Sequence, residues 1–305
     1  MRVAAIDQGT NTTRLLVADV VDGRLEEVVR RSAITRLGEG VDSRRRLLPL
    51  PITRVRNVLT DYRREAERLG AERTLLIATS AVRDAENGEA FLGEVEWSFG
   101  FATQLLTGDD EARMLVRGVG ALDPGTLVLD VGGGSTELVA GDEHVSVDVG
   151  AVRLTERFLH GDPPSDEEVA ISSEHARGLL PELDVSDAVG VAGTVTTLAA
   201  LDLRLDEYDS DRVDGHRLTR AGVDAQLARL ASVPLDVRRE IPALEPERAP
   251  VIVAGAVIVR EVLRRYDLDA LTVSERDILD GAALAAAELP EPVEGDAPPG
   301  AYTCC

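Results

Sequence analysis

The chain has 305 residues, a length typical of two domains. Apolar residues make up 44% of it, enough for a large buried core, so wholesale disorder is excluded. The net charge is −22 and aromatic residues make up only 3%, so non-specific binding to nucleic acid or to an anionic membrane surface is not expected.

The first 120 residues are predicted to alternate between strands and helices. Strands are expected at 2–6, 14–20, 25–34, 75–78 and 101–106, and helices at 52–69 and 109–119. The strand pattern begins again after Gly125, with strands expected at 126–130, 136–140 and 144–149. Beyond residue 153 the chain is expected to be mostly helical, apart from strands at 188–191 and 270–273.

The two halves of the chain begin in the same way. Segments 4–10 (AAIDQGT) and 127–133 (LVLDVGG) each contain an apolar strand, an aspartate, one further residue and a glycine. This internal repeat predicts an α/β fold of two related lobes, each led by a strand–Asp–Gly hairpin, with a cleft between them. The first lobe is expected to span 1–122 and to be completed by a helix near 277–288, and the second to span 123–276.

The end of the chain and its apolar runs bear on localisation. Residues 289–305 are rich in acids and proline and are expected to form a loose tail, which ends in the only two cysteines, Cys304 and Cys305. Adjacent cysteines cannot cross-link a core. The longest apolar run is 251–259, whereas a membrane-spanning helix needs roughly 20 residues. A cytoplasmic protein with no membrane partner is therefore predicted.

Two glycine-containing hairpins are candidates for phosphate chemistry. In the first, Asp7 is followed by Gly9, Thr10 and Asn11, a set that suits Mg²⁺ and phosphate oxygens, although an ordinary turn has the same composition. The second hairpin, 130–137 (DVGGGSTE), contains three consecutive glycines, each costing roughly 0.5–1 kcal/mol relative to alanine. Such a run is tolerated where the backbone closely meets a ligand or another backbone, and a wide hairpin is the alternative.

Three further positions carry candidate side chains. At Thr194 a strand runs into a helix, and this residue is expected to cap the helix while the free N–H groups favour an anion. Glu111 lies in the first turn of a helix, where the dipole alone favours acids. Arg83 follows a strand and can bind phosphate through two hydrogen bonds or pair with Asp84 or Glu86.

Residues 30–73 hold twelve arginines and six acids. One interpretation is a solvated helix face on which arginines pair with acids one turn away. The other is an arginine-lined approach for an anionic substrate. The sequence leaves both open.

Nine segments together resemble the exopolyphosphatase/guanosine pentaphosphate phosphatase (Ppx/GppA) family, within the actin–hexokinase–chaperone ATPase superfold. They are Asp7–Leu15, Thr79–Asn87, Gly108–Arg113, Asp130–Glu137, Gly150–Glu156, Gly190–Leu198, Val213–Leu218, Arg248–Ala256 and Val273–Gly281. The resemblance implies two ribonuclease H-like lobes and an enzyme that hydrolyses the terminal phosphoanhydride of inorganic polyphosphate, releasing orthophosphate. By this resemblance the protein is expected to be a short form without the extra C-terminal helical domain of longer members, which would favour short chains as substrates.

The resemblance also implies roles for individual residues. Glu111 would be the general base that activates water, and Arg83 would neutralise charge on the transferred group. Asp130 and Glu137 would hold the metal and position the water, with Asp7 helping to hold Mg²⁺ or Mn²⁺. Phosphate would be cradled by Thr10, Asn11, Gly132, Gly133, Gly134, Ser135, Gly193 and Thr194. A homodimer is expected from the same resemblance.

Three alternatives remain beside polyphosphate hydrolysis. Hydrolysis of guanosine pentaphosphate is the nearest. A sugar kinase or ATPase of the same superfold is another, because the opening Asp7-Gln8-Gly9-Thr10 also resembles glycerol-kinase-type enzymes. The third is a non-catalytic sensor of alarmone or polyphosphate. The presence of Asp7, Glu111, Asp130 and Glu137 favours an enzyme.

Overall fold

The structure is a computed structural model and describes residues 1–290. The described chain divides into two compact units: unit 1 holds Met1–Gly120 together with residues 278–290, and unit 2 holds Ala121–Asp277. From residue 291 the expected acidic tail lies outside the described residues.

Unit 1 is built on a five-stranded sheet with the order β3-β2-β1-β4-β5. Strands β1, β2 and β3 are antiparallel neighbours, whereas β4 and β5 run parallel to β1. The strands are β1 (Arg2–Gln8), β2 (Thr12–Val21), β3 (Arg24–Ile34), β4 (Arg73–Ala78) and β5 (Ala102–Leu105). The helices are α1 (Val41–Arg44), α2 (Pro49–Leu69), α3 (Ser80–Arg83), α4 (Gly88–Phe99), α5 (Gly108–Val119) and, at the end of the chain, α13 (Ile278–Glu288).

Helix α2 shows how local sequence sets the elements of unit 1. It begins at Pro49, three residues before the predicted start, because proline is well accommodated in the first turn of a helix. It ends at Gly70, which adopts a left-handed conformation with φ of 77°. Its buried stripe, spaced by three or four residues, packs on the sheet: Val55, Leu59, Tyr62 and Ala66.

Unit 2 is built on a six-stranded sheet with the order β10-β11-β9-β6-β7-β8. The strands are β6 (Thr126–Val131), β7 (Thr136–Ala140), β8 (Glu143–Val147), β9 (Asp187–Val191), β10 (Arg217–Thr219) and β11 (Ala270–Val273). The helices are α6 (Ala151–Phe158), α7 (Asp166–Leu179), α8 (Ala192–Asp202), α9 (Ser210–Val213), α10 (Arg220–Ala231), α11 (Leu235–Arg239) and α12 (Ile252–Arg265).

The two sheets share one topology. In unit 2, β6, β7 and β8 are antiparallel neighbours, and β9 and then β11 continue the sheet in parallel with β6. This is the order of unit 1, and it confirms the predicted α/β fold of two related, ribonuclease H-like units. Strand β10 was not predicted. It has only three residues with one buried side chain, Leu218, and it pairs antiparallel with β11 at the sheet edge.

Each unit has its own apolar core, made mainly of Ala, Val, Leu and Ile side chains. This composition is expected from the sequence, because so few aromatic residues are available to fill a core. Within residues 1–290, no helix combines the length and the apolar character needed to cross a membrane.

Candidate active site

The first hairpin of unit 1 turns tightly between β1 and β2. The amide of Gly9 donates to the carbonyl of Thr12 over 3.0 Å, and a Cβ on Gly9 would lie 3.1 Å from that oxygen. Asp7, at the end of β1, is the cross-strand partner of Arg14. The guanidinium of Arg14 donates to Oδ2 of Asp7 through Nε at 3.0 Å and Nη2 at 2.6 Å. The first predicted metal ligand is thus engaged by an arginine.

The tip of this hairpin offers hydrogen-bond donors. Asn11 is 8% exposed, and its Nδ2 has no acceptor among residues 1–290. The backbone amides of Thr10 and Asn11 likewise find no acceptor in that part of the chain, and the Thr10 hydroxyl lies 2.8 Å from Oγ of Ser80. Buried donors are normally satisfied, so these groups are suited to donate hydrogen bonds to an anionic ligand.

Gln8, the residue on which the sugar-kinase alternative was based, forms hydrogen bonds within the hairpin. Its side chain is fully buried, its Oε1 accepts from the Thr13 hydroxyl at 2.8 Å, and its Nε2 donates to the Gly9 carbonyl at 3.1 Å. Thr13 in turn lies 2.9 Å from the hydroxyl of Thr35. Gln8 therefore stabilises the turn, and its contacts give no support to a kinase.

Glu111 and Arg83 come together in unit 1. Glu111 is only 3% exposed, and its Oε1 accepts a hydrogen bond from Nη1 of Arg83. The same nitrogen donates to the Leu106 carbonyl at 2.8 Å, which fixes the guanidinium between α3 and α5. The two predicted catalytic side chains of this unit are direct neighbours.

Two acids in the first turn of α5, Asp110 and Glu111, have different environments. Thr107 and Asp110 form a capping box, in which the Thr107 side chain accepts from the Asp110 amide at 3.2 Å. Glu111, by contrast, lies on the buried face of the helix with Ala112 and Leu115. The sequence contained this signal, because Glu111 is four residues before Leu115 and thus in phase with the apolar stripe.

The first hairpin of unit 2 repeats the geometry of unit 1. The amide of Gly132 donates to the Ser135 carbonyl over 3.0 Å, and a Cβ on Gly132 would again lie 3.1 Å from that oxygen. Asp130 and Glu137 are cross-strand partners, at the positions that Asp7 and Arg14 occupy in unit 1. The two residues are 8% and 5% exposed, and Oε1 of Glu137 accepts from the Ser146 hydroxyl at 3.0 Å.

The glycine run meets another backbone. A Cβ on Gly150 would lie 2.4 Å from the carbonyl carbon and oxygen of Gly133, so Gly150 must be glycine for this approach. The first amides of α6 donate to the loop carbonyls: Ala151 to Gly132 at 2.9 Å, and Val152 to Gly133 at 2.8 Å. The amides of Gly133 and Gly134 find no acceptor within residues 1–290. The run is therefore packed on its carbonyl side and offers donors on its amide side.

The turn from β9 into α8 differs from its prediction. Thr194 does not cap the helix, because the N-cap position is Val191 and carries no side-chain cap. The Thr194 hydroxyl instead donates to the Val131 carbonyl at 2.8 Å, which ties this turn to the end of β6. Gly193 is close to the guanidinium of Arg248, since a Cβ there would lie 2.5 Å from Nη1.

A divalent metal fits one of the predicted positions better than the other. Among residues 1–290, no group of three or more His, Cys, Asp and Glu side chains is assembled to hold a metal ion. Asp7 already shares an oxygen with Arg14. Asp130 and Glu137 are two buried acids directly opposite each other on neighbouring strands, and their carboxylates have the oxygen donors that Mg²⁺ prefers.

Three arginines near these hairpins were not given a role from the sequence. Arg14 lies seven residues after Asp7, the same spacing that separates Asp130 from Glu137, so the internal repeat contained a signal for it. Arg153 donates from Nε to the Gly134 carbonyl at 2.8 Å. Arg248 and Gly193 are 55 positions apart in the sequence and are brought together only by the fold, so no local pattern could predict their contact.

The repeated sheet and the repeated Asp–Gly hairpin define a protein of the ribonuclease H-like two-lobe class. Residues 16–287 match the Ppx/GppA phosphatase family, and the chain belongs to that family. The family predicted from the sequence is confirmed, and with it the predicted enzyme class, a phosphoanhydride hydrolase.

Similar proteins cover nearly the whole chain. It is 40% identical over 314 residues to exopolyphosphatase 2 of Mycobacterium tuberculosis (strain ATCC 25618 / H37Rv), covering 94% of this chain and 98% of that protein. The solved structure of the Aquifex aeolicus PPX-GPPA enzyme is 34% identical, with a TM-score of 0.79, and the match covers 93% of this chain and 99% of that one. The guanosine-5'-triphosphate,3'-diphosphate pyrophosphatase of Vibrio vulnificus is 28% identical over 92% of this chain and 58% of that protein.

Proposed function

We propose that this protein hydrolyses the terminal phosphoanhydride of inorganic polyphosphate, short chains included, and releases orthophosphate. The observation that carries the proposal is the buried Glu111 held by Arg83 at the start of α5, within a family of phosphatases. A carboxylate kept out of bulk water beside a guanidinium combines a proton acceptor with a positive charge. Hydrolysis of a phosphoanhydride needs both and little else, because its leaving group is already good.

In this proposal Glu111 accepts a proton from the attacking water. The water oxygen forms a bond to the terminal phosphorus, the bridging P–O bond breaks, and the shortened chain leaves as an anion. Arg83 is placed to stabilise the negative charge that develops on the phosphoryl oxygens. The Leu106 carbonyl, which accepts from the same guanidinium, keeps Arg83 in this orientation.

In each unit taken by itself, the hairpin donors are candidates for phosphate binding. Asn11 Nδ2 and the amides of Thr10 and Gly133 are directed donors that lack acceptors in the described chain. Asp130 and Glu137 would hold Mg²⁺ or Mn²⁺, and a bound divalent ion supplies charge neutralisation at phosphate oxygens. The amide of Gly193, beside Arg248, is a further candidate for phosphate. A homodimer and a cytoplasmic location complete the proposal.

Guanosine pentaphosphate is a second candidate substrate. It is favoured by the similarity to the Vibrio vulnificus guanosine-5'-triphosphate,3'-diphosphate pyrophosphatase. Its 5'-triphosphate end presents the same terminal phosphoanhydride, so the same residues would act on it.

Phosphate release measured side by side on tripolyphosphate, long-chain polyphosphate and guanosine pentaphosphate tests the proposal. We expect release from both inorganic substrates. Formation of ADP from ATP and glycerol, without release from any of the three, would instead support a sugar kinase. Binding of polyphosphate without turnover would support a sensor.

The variant Glu111→Gln tests the proposed base. Loss of a positioned proton acceptor is expected to lower kcat by about 10²–10⁴-fold, while binding of polyphosphate is retained. Asp109→Asn is the matched control, because Asp109 lies in the same first turn of α5. Near-normal turnover in Glu111→Gln would show that Glu111 is not the general base.

A further inference from the structure

Most arginines of the 30–73 region are neutralised within the fold. On and around α2, Arg31 pairs with Glu65 at 2.9 Å, Arg54 with Glu39 at 2.8 Å, and Arg63 with Glu67 at 2.7 Å. The exposed helix face considered from the sequence is therefore the correct interpretation for α2. These arginines have acidic partners and are poorly suited to capture another anion.

Arg44, Arg45 and Arg46 are different, and we call them the arginine triplet. All three are exposed, and within residues 1–290 none of their guanidinium groups forms an ion pair or a hydrogen bond. Three adjacent positive charges repel one another when no acid offsets them. In a chain with a net charge of −22, a concentration of unneutralised positive charge is suited to bind an anion.

The arginine triplet is held rigidly on unit 1. Leu47, which follows it, is buried, and Asn87 binds both backbone groups of Leu47: its Oδ1 accepts from the Leu47 amide at 2.8 Å, and its Nδ2 donates to the Leu47 carbonyl at 3.1 Å. The Glu86 amide donates to the Arg45 carbonyl at 2.8 Å. Residues 86 and 87 closely follow Arg83, so the arginine triplet is anchored to the segment that carries this site residue.

Residues 38–47, which include the arginine triplet, are also anchored at their beginning, to the hairpin between β1 and β2. The Gly38 amide donates to the Thr10 carbonyl at 2.8 Å, and a Cβ on Gly38 would lie 2.2 Å from Cγ2 of Thr10. Gly38 is therefore in direct contact with the hairpin that carries Asn11. Residues 38–47 thus connect the donors of the hairpin with the exposed arginines.

We propose that Arg44, Arg45 and Arg46 bind phosphates of a polyphosphate chain distal to the phosphoryl group that is hydrolysed. The inference rests on the proposed function and adds a second, chain-length-dependent binding surface to it. Guanidinium groups pair well with phosphate oxygens, and a polyphosphate longer than three units has charges left to pair with them. Segment 36–47 contains no aromatic residue on which a base could stack, which favours polyphosphate over RNA.

The test compares two triple variants of equal charge. Arg44→Gln/Arg45→Gln/Arg46→Gln removes the arginine triplet. Arg24→Gln/Arg217→Gln/Arg229→Gln removes three exposed arginines that also lack ion pairs within residues 1–290 and are distant from residues 38–47 in the sequence. KM is measured for tripolyphosphate and for long-chain polyphosphate, and direct binding of long-chain polyphosphate is measured by calorimetry over a range of salt concentrations.

We expect the triplet variant to raise KM for long chains about tenfold and KM for tripolyphosphate less than twofold, because several exposed ion pairs add up to a modest effect. The slope of log Kd against log salt should fall by about two, since fewer ions are released on binding. The control variant should change neither quantity.

Equal effects on both substrates, or an equal effect of the control variant, would overturn the inference. So would RNA homopolymer that competes as well as polyphosphate of the same charge. If the wild-type protein released no phosphate from any substrate, the proposed function would fail. The calorimetric comparison would still decide whether the arginine triplet binds polyphosphate.

Discussion

At the residue scale, one substitution within an internal repeat separates the chemistry of the two hairpins. Position seven after the aspartate is Arg14 in unit 1 and Glu137 in unit 2. Both face their aspartate across an antiparallel strand pair, so the first hairpin carries a neutral ion pair and the second carries two carboxylates. Carboxylate oxygens are the ligands that Mg²⁺ and Mn²⁺ prefer, and the first hairpin has only one carboxylate at these two positions. We therefore expect metal to bind at the hairpin of unit 2.

The variant Glu137→Gln tests this expectation without relying on turnover. Binding of Mn²⁺, followed by electron paramagnetic resonance, should weaken at least tenfold, since even residues that only support a ligand are worth about 10- to 100-fold. Glu143→Gln removes the same charge at the far end of the β7–β8 pair and serves as control. Equal Mn²⁺ affinity in the two variants would contradict the assignment.

Asn11 offers a second test at this scale. Its Nδ2 is buried without an acceptor in the described chain, so the side chain adds little to folding stability. Asn11→Ala should leave the free energy of unfolding within about 0.5 kcal/mol, or raise it, while KM for tripolyphosphate rises about tenfold.

Gln8→Ala is expected to behave in the opposite way. It removes the acceptor of the buried Thr13 hydroxyl, and the cost in stability should be about 1–3 kcal/mol. A loss of stability in Asn11→Ala without a change in KM would show that the Asn11 amide serves the fold alone.

At the scale of elements, α5 positions Glu111 through its first turn. The Thr107 side chain, followed by its backbone amide, donates to Asp110 and holds the pKa of that carboxyl below its ordinary value of 3.8. An acid with a lowered native pKa stabilises the fold at pH values above its unfolded pKa, and that contribution disappears as the pH falls through the lowered pKa. The capping box is therefore intact near neutral pH and weakens in acid.

This predicts a pH-dependent effect of Asp110→Asn. Urea unfolding at pH 7 should show a loss of about 0.5–1 kcal/mol, in the range of helix caps, and the difference from wild type should shrink at pH 3. Asp109→Asn, in the same turn but outside the capping box, is the control. A difference that stays constant between the two pH values would show that the charge of Asp110 has no part in the cap.

At the scale of the whole molecule, the chain leaves unit 1 after Gly120 and returns to it at Ile278. Helix α13 then packs against β1 and α5, the elements that carry Asp7 and Glu111. The closest approach is at Gly281, where a Cβ would lie only 1.9 Å from the Met114 carbonyl oxygen. Unit 1 is thus completed by the end of the described chain.

Gly281→Ala should therefore destabilise unit 1 selectively. Forced overpacking typically costs about 1–3 kcal/mol. Hydrogen exchange should increase in peptides of residues 1–120 and remain unchanged in those of 121–277. The control Gly178→Ala lies in α7, where a Cβ meets open space, and should be neutral or stabilising by up to about 1 kcal/mol. Uniform loss of protection across both units would contradict a local role for Gly281.

The sequence by itself indicated every strand except β10, the repeat of the Asp–Gly hairpin and the family. These depend on local periodicity and short motifs, which act over a few residues. It could not determine that Arg14 engages Asp7, or that Thr194 binds Val131 in place of capping its helix. It also left the role of the arginines in 30–73 open. Those outcomes depend on which groups the fold brings within hydrogen-bond distance, because a side chain takes the partner that tertiary packing offers it. Strand register and helix packing, which involve residues tens to hundreds of positions apart, determine which partner each of these side chains meets.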